Sequence, residues 1–242
     1  MLRIALVIVL IAALSAHAAD APRVDHLIPW TYGFDRDLRP LVEKKLFITP
    51  ADCGRMIRMH QMTDQGGVGE SVVSVYCTAS DCHVTLTRAA RSLDMLWADH
   101  RGERNEVALI RSVPVTRKDA KIPQSIAFAF RECSRTALRA ARQRPDEERI
   151  VLDNDRVEFW LIERHAAALK AERPDFPGKN VESLISLGDR LAGYCELSPS
   201  LRAAAAQEIG REAVRLQSVF ARKRAFNHAR SERRTAVRST LR

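Results

Sequence analysis

At 242 residues the chain is slightly longer than a usual single domain and can bury a sizeable core. Its 46% hydrophobic and 29% charged residues are ordinary globular values and exclude wholesale disorder. The formal charge of +9 is concentrated at one end, so it describes an appendage rather than the domain.

Residues 1–18 read as a secretory signal. Arg3 opens an apolar run from Ile4 to Leu14, and Ser15, Ala16, His17 and Ala18 supply small residues before a cut after Ala18. A membrane span needs about 20 mostly apolar residues, more than this run offers. A lipoprotein would need a cysteine at the cut, and the first one is Cys53. No later segment is apolar enough to span a bilayer, so the expectation is a periplasmic or extracellular protein.

From Ala19 to Phe47 the expected chain is irregular, punctuated by Pro22, Pro29, Gly33 and Pro40 around Trp30, Tyr32 and Phe34. Thr49 and Pro50 form a helix-start signal, which predicts a helix from Pro50 to about Met62. Gly66, Gly67 and Gly69 follow. Their spacing matches neither phosphate-binding fingerprint, and they read as a connection.

Ser71 to Tyr76 and His83 to Thr87 are β-rich runs around Thr78, Ala79, Ser80 and Asp81, which predicts a hairpin. Cys77 and Cys82 flank that turn and are the first candidates for a disulfide, whose role would be to fix register. With His83 they could also ligate metal. No second tight pair exists to complete a zinc set, so no metal and no cofactor are expected.

Ala89 to Ala98 reads as a short helix and Val107 to Val115 as a strand ending at Pro114. Ile122 to Arg142 is the strongest helix, with Ile126, Phe130, Cys133, Ala137 and Ala141 on one stripe. Arg149 to Leu152 and Val157 to Ile162 read as a second hairpin around Asp153, Asn154 and Asp155. A helix from Val181 to Tyr194 turns Cys195 inward. Cys133 and Cys195 are therefore the second candidates for a disulfide, against buried free thiols. A last helix starts near Ser200, and its stripe of Leu201, Ala205, Ile209, Ala213, Leu216 and Phe220 ends at Phe220.

The expected fold is α+β: a mostly antiparallel sheet of two hairpins plus one further strand, packed by about four helices. The expected organisation is a signal over 1–18, one domain over 19–220 and a basic tail over 221–242. That tail holds Arg222, Lys223, Arg224, Arg230, Arg233, Arg234, Arg238 and Arg242 against Glu232, a net +7 that leaves +2 for residues 1–220.

A localised cationic tail suits an anionic membrane surface or an acidic glycan. Nucleic acid fits the charge equally, but export argues against it, and a protein partner stays open. The Gly-x-Ser-x-Gly, His-Glu-x-x-His and calcium-loop patterns are absent, and no reaction is fixed by motif. The leading reading is a binding or interaction protein without catalysis. One alternative is an envelope hydrolase assembled from distant residues, around His60 or His165, with His83 and His100 as further free-standing histidines. Asp35 with Asp37 and Glu147 with Glu148 earn no catalytic role. The other alternative is an inhibitor or immunity partner of a secreted protein.

Overall fold

Apolar and hydroxyl residues alternate through Val73, Ser74, Val75 of Ser71–Cys77 (β3) and Val84, Thr85, Leu86, Thr87 of Cys82–Ala89 (β4), so each strand offers an apolar row to one side and a more polar row to the other. The computed structural model describes residues 24–29, 37–47, 53, 55–62, 69–141, 156–163, 167–174 and 177–240, apart from the side chains of 55, 224 and 226–240. The signal 1–18, Trp30, Tyr32 and Phe34, Gly66 and Gly67, the strand Arg149 to Leu152 with its turn, His165 and Arg242 lie outside the described residues.

The remaining strands are Ile28–Pro29 (β1), Arg55–Met62 (β2), Val115–Ile122 (β5), Arg156–Glu163 (β6) and Leu169–Glu172 (β7). Together the seven form one antiparallel sheet in the order β1-β7-β6-β2-β3-β4-β5. Among the described residues six helices flank it: Leu38–Leu46 (α1), Leu93–Asp99 (α2), Glu106–Ser112 (α3), Gln124–Arg139 (α4), Lys179–Glu196 (α5) and Pro199–Thr240 (α6). The fold is α+β, with more strands and helices than the sequence patterns predict.

The two sheet faces are covered differently. Ile57, Met59, Val73, Val75, Val84, Leu86, Phe159 and Leu161 face α4, α5 and α6, whose Phe130, Leu184, Leu187, Leu216 and Phe220 complete the larger core. On the other face α1, α2 and α3 cover only one end, packing Leu38, Val42, Leu46, Leu93, Trp97 and Ile110 onto Met62, Val72 and Ala89. Glu70 builds that corner. Its buried carboxylate accepts the backbone N–H groups of Leu93 (2.8 Å) and Asp94 (2.9 Å) at the start of α2, plus the Ser92 hydroxyl (3.2 Å). Gly69 is required beside it, because a Cβ there would sit 2.1 Å from the Ala89 carbonyl oxygen.

Several expectations are corrected. Of the helix predicted over Pro50 to Met62, Arg55–Met62 is instead the central strand β2, paired with β3 on one side and β6 on the other, while Thr49 and Pro50 lie outside the described residues. Both of its faces are buried, so the polar alternation that marks a half-exposed strand is missing, and its methionines mimic a helical stripe. The strand predicted over Val107 to Val115 is the helix α3, and β5 begins only at Val115, after Pro114. Helix α4 starts after Pro123, and Ile122 closes β5. Residues 28–29 and 38–46, expected to be irregular, form β1 and α1. Strand β6 makes its hairpin with β7, downstream, and pairs β2 on its other edge.

Candidate functional site on the sheet face

Cross-strand register sets a row of six residues, one from each of six neighbouring strands, on the face opposite the main core. Lys170 of β7 pairs Trp160 of β6, Trp160 pairs Arg58 of β2, Arg58 pairs Ser74 of β3, Ser74 pairs Thr85 of β4, and Thr85 pairs Asp119 of β5. The adjoining row places His60 against Glu158. One half of this face is roofed and the other is open.

In the roofed half, the Arg39 guanidinium from α1 donates two bonds to Glu158, of 3.1 and 3.0 Å, and a third to Glu43 of 2.7 Å. Trp160 Nε1 donates to Glu158 at 3.2 Å, and His60 Nδ1 lies 3.7 Å from the same carboxylate. Burial by itself would push the Glu158 carboxyl up. The hydrogen bonds and charges of His60 and Arg39 overcome it and hold the group far below the usual carboxylate range. Phe47, at the end of α1, lies under the Arg58 guanidinium (4.3 Å) and sets its edge on His60 and Trp160. Arg58 is 3% exposed, and burial brings it down to about 10 against the opposing charges of Glu43 and Cys53. His60 is 1% exposed in this packing.

The open half lies toward the tip of the β3–β4 hairpin. There Asp119 Oδ2 is 3.1 Å from His83 Nδ1, while Asp119 Oδ1 accepts from Thr85 (2.5 Å) and Tyr76 (3.5 Å). The Tyr76 and His83 rings stack at 5.4 Å with 12° between their planes.

The Cys77–Cys82 disulfide expected from sequence is formed, with Cα atoms 4.0 Å apart, and it closes this tip. The bridge expected between Cys133 and Cys195 is not: both are buried free thiols. Cys133 of α4 lies by Glu212 and Arg215 of α6, and burial pushes its thiol up to about 12. Cys195 of α5 faces β4 instead, donating to the Val84 carbonyl at 3.4 Å, and burial pushes it up to about 11. The two helices that carry them turn their cysteines to different neighbours.

Of the tail cations, Arg222 is exposed and Lys223 is half-buried, ion-paired to the Asp25 carboxylate. Asp25 also accepts the backbone N–H of Asn180 at 2.7 Å, so one residue ties the root of the tail to the start of α5. Helix α6 runs on through 224, 230, 233, 234 and 238 to Thr240. His100 pairs Glu103 at 3.1 Å on the surface, far from both clusters in role and burial. Among the described residues there is no group of three metal-ligating side chains, and no helix is long and apolar enough to cross a membrane.

Sequence reasoning missed both carboxylate clusters. The partners are 119 residues apart in Arg39–Glu158 and 36 apart in His83–Asp119. The available signal was the polar series His83, Thr85, Thr87 inside a predicted strand, which marks a sheet face that something polar must answer. No family model, no curated protein and no solved structure matches the chain.

Proposed function

We propose that this is an exported binding protein whose basic C-terminal helix docks on an anionic membrane surface or acidic glycan. The observation that carries the reading is the continuity of α6: Phe220 is its last buried apolar residue among the described side chains, and the helix continues to Thr240. At about 1.5 Å per residue, residues 221–240 span about 30 Å, so the cations are held along a rod rather than scattered through a coil. Positions 223, 230, 234 and 238 follow an i, i+7, i+11, i+15 spacing and share one side of it.

The charge partition supports the same reading. A body of about neutral charge gives non-specific attraction little to work with, whereas each cation near an anionic bilayer contributes about 1 kcal/mol. Lys223, pinned to Asp25, fixes the root of the rod on the domain. Export rests on the leader at 1–18 and accords with the Cys77–Cys82 bridge, since disulfides persist in oxidising compartments. The body would carry whatever the arm localises.

The test removes residues 224–242 and compares co-sedimentation with phosphatidylglycerol vesicles, phosphatidylcholine vesicles and an immobilised acidic polysaccharide. The full chain should be retained on one or both anionic supports and the truncated chain on neither. Equal retention of both chains would reject the role of the arm.

A further inference from the structure

The open end of the sheet face holds a second constellation that the arm does not use. We propose that His83 and Asp119 form a hydrolytic centre for carboxylic esters carrying a negative charge, with His83 Nε2 accepting a proton from water. This goes beyond the docking reading and depends on none of its observations.

Geometry orients the imidazole. Asp119 Oδ2 lies 3.1 Å from His83 Nδ1, and because a carboxylate only accepts, the neutral ring carries its proton on Nδ1 and turns the Nε2 lone pair away from it. Nε2 makes no hydrogen bond to a described residue. Asp119 is itself fixed through its other oxygen by Thr85 and Tyr76, and the Tyr76 ring stacked on the imidazole restrains its rotation. The Cys77–Cys82 bridge follows Tyr76 and precedes His83 by one residue each, so the two rings cannot slide past one another. This is the base-plus-orienting-group arrangement that proton transfer requires.

Access separates this histidine from His60, which meets a carboxylate in the roofed half of the same face. The His83 side chain is 19% exposed and Asp119 40%, while His60 is sealed beneath Phe47. Lys121 pairs His83 in the β4–β5 register and places a cation beside the reacting position; its side chain is 71% exposed and its ammonium donates to Asp81 at 3.1 Å, a surface pair weak enough to exchange for a substrate carboxylate. That favours a substrate whose ester is close to a carboxylate or similar anion.

In the reaction a water oxygen forms a bond to the ester carbonyl carbon while one of its protons passes to Nε2. The tetrahedral intermediate then breaks its C–O bond to the leaving group, and the departing oxygen takes that proton back from the imidazolium. One ester and one water give one acid and one alcohol, with His83 restored. Asp119 is a positioning residue throughout.

The experiment uses the full chain with two probes, the mono-p-nitrophenyl ester of succinic acid and neutral p-nitrophenyl acetate. Wild type should hydrolyse the anionic ester faster than buffer, and His83→Gln should lower kcat about a hundredfold or more, within the usual range for general acid–base catalysis. Asp119→Asn should lower kcat at unchanged KM, with Asp119→Glu recovering part of it. Lys121→Gln should raise KM for the anionic ester and leave the neutral one unchanged. A wild-type rate no greater than that of His83→Gln, or of buffer, overturns the proposal. A Lys121→Gln effect equal on both esters overturns its substrate class.

Discussion

Arg39 on α1 holds Glu158 on β6 through two parallel hydrogen bonds of 3.1 and 3.0 Å, and this pair fixes a short helix to the centre of the sheet. Its bidentate geometry lets one arginine satisfy both oxygens of a fully buried carboxylate, which would otherwise be too costly to keep charged. The pair divides the sheet face: on its side Phe47 closes over Arg58 and His60, and beyond it the hairpin tip stays open.

Removing one partner should cost far more than a surface pair would. Arg39→Ala leaves Glu158 buried without its main counter-charge, and the loss expected for breaking a buried pair is about 3 to 5 kcal/mol. Urea unfolding followed by tryptophan fluorescence checks it, since Trp160 donates to the same carboxylate. A loss under about 1 kcal/mol would assign the pair no structural weight.

The same carboxylate sets a pH dependence. Its folded value is depressed below the ordinary 4.5, so the unfolded chain takes up a proton before the folded one does. The stability it contributes is complete above about pH 4.5 and is lost progressively as the pH falls below it. Thermal midpoints measured from pH 7 down to pH 3 should fall across the acid part of that range, and Glu158→Gln should flatten the fall.

Glu70 offers a local test of the α1–α3 corner. Glu70→Ala leaves the Leu93 and Asp94 amides at the start of α2 without their acceptor, at a cost on the order of 2 kcal/mol. Gly69→Ala should destabilise the same corner, because the Ala89 backbone cannot retreat from the added methyl. Hydrogen exchange should speed up in α2 in both variants, while α5 stays protected.

The cysteines divide by chemistry. Alkylation of the native, unreduced protein at neutral pH should spare Cys133 and Cys195, whose thiols burial pushes up to about 12 and about 11, and unfolding should expose both. Reducing Cys77–Cys82 should cost about 2 kcal/mol, the low end for a disulfide, since so short a loop removes little chain entropy. Mass spectrometry of the labelled peptides distinguishes the two classes.

The sequence patterns carry some of this fold and hide the rest for physical reasons. The β3–β4 hairpin, its bridge, α4, α5 and the core stripe of α6 from Ile209 to Phe220 are legible because each shows a clear period and a turn or cap, whereas Leu201, expected on that stripe, is exposed. Strand β2 is not: a central strand buried on both faces loses its alternation, and Met56, Met59 and Met62 recur at a helix-like spacing of three. Helix α3 hides behind the β-branched Val107 and Ile110, and burying little more than Ile110 gives it no helical stripe. The candidate site is less legible still. Arg39 and Glu158, or His83 and Asp119, become neighbours only through strand order, which no local pattern encodes.

The docking role of the basic helix meets its most direct test in a charge-neutralised arm. Replacing Arg222, Arg224, Arg230, Arg233, Arg234 and Arg238 by glutamine keeps good helix formers and removes the charge. Affinity for phosphatidylglycerol vesicles and for the acidic polysaccharide is then measured from about 0.05 to 0.5 M salt, where screening shortens from beyond about 10 Å to a few Å. The native chain should bind at low salt and lose affinity steeply as salt rises, and the glutamine variant should bind at neither end. A variant that binds as tightly as the native chain, with affinity flat across the salt range, would contradict the docking role.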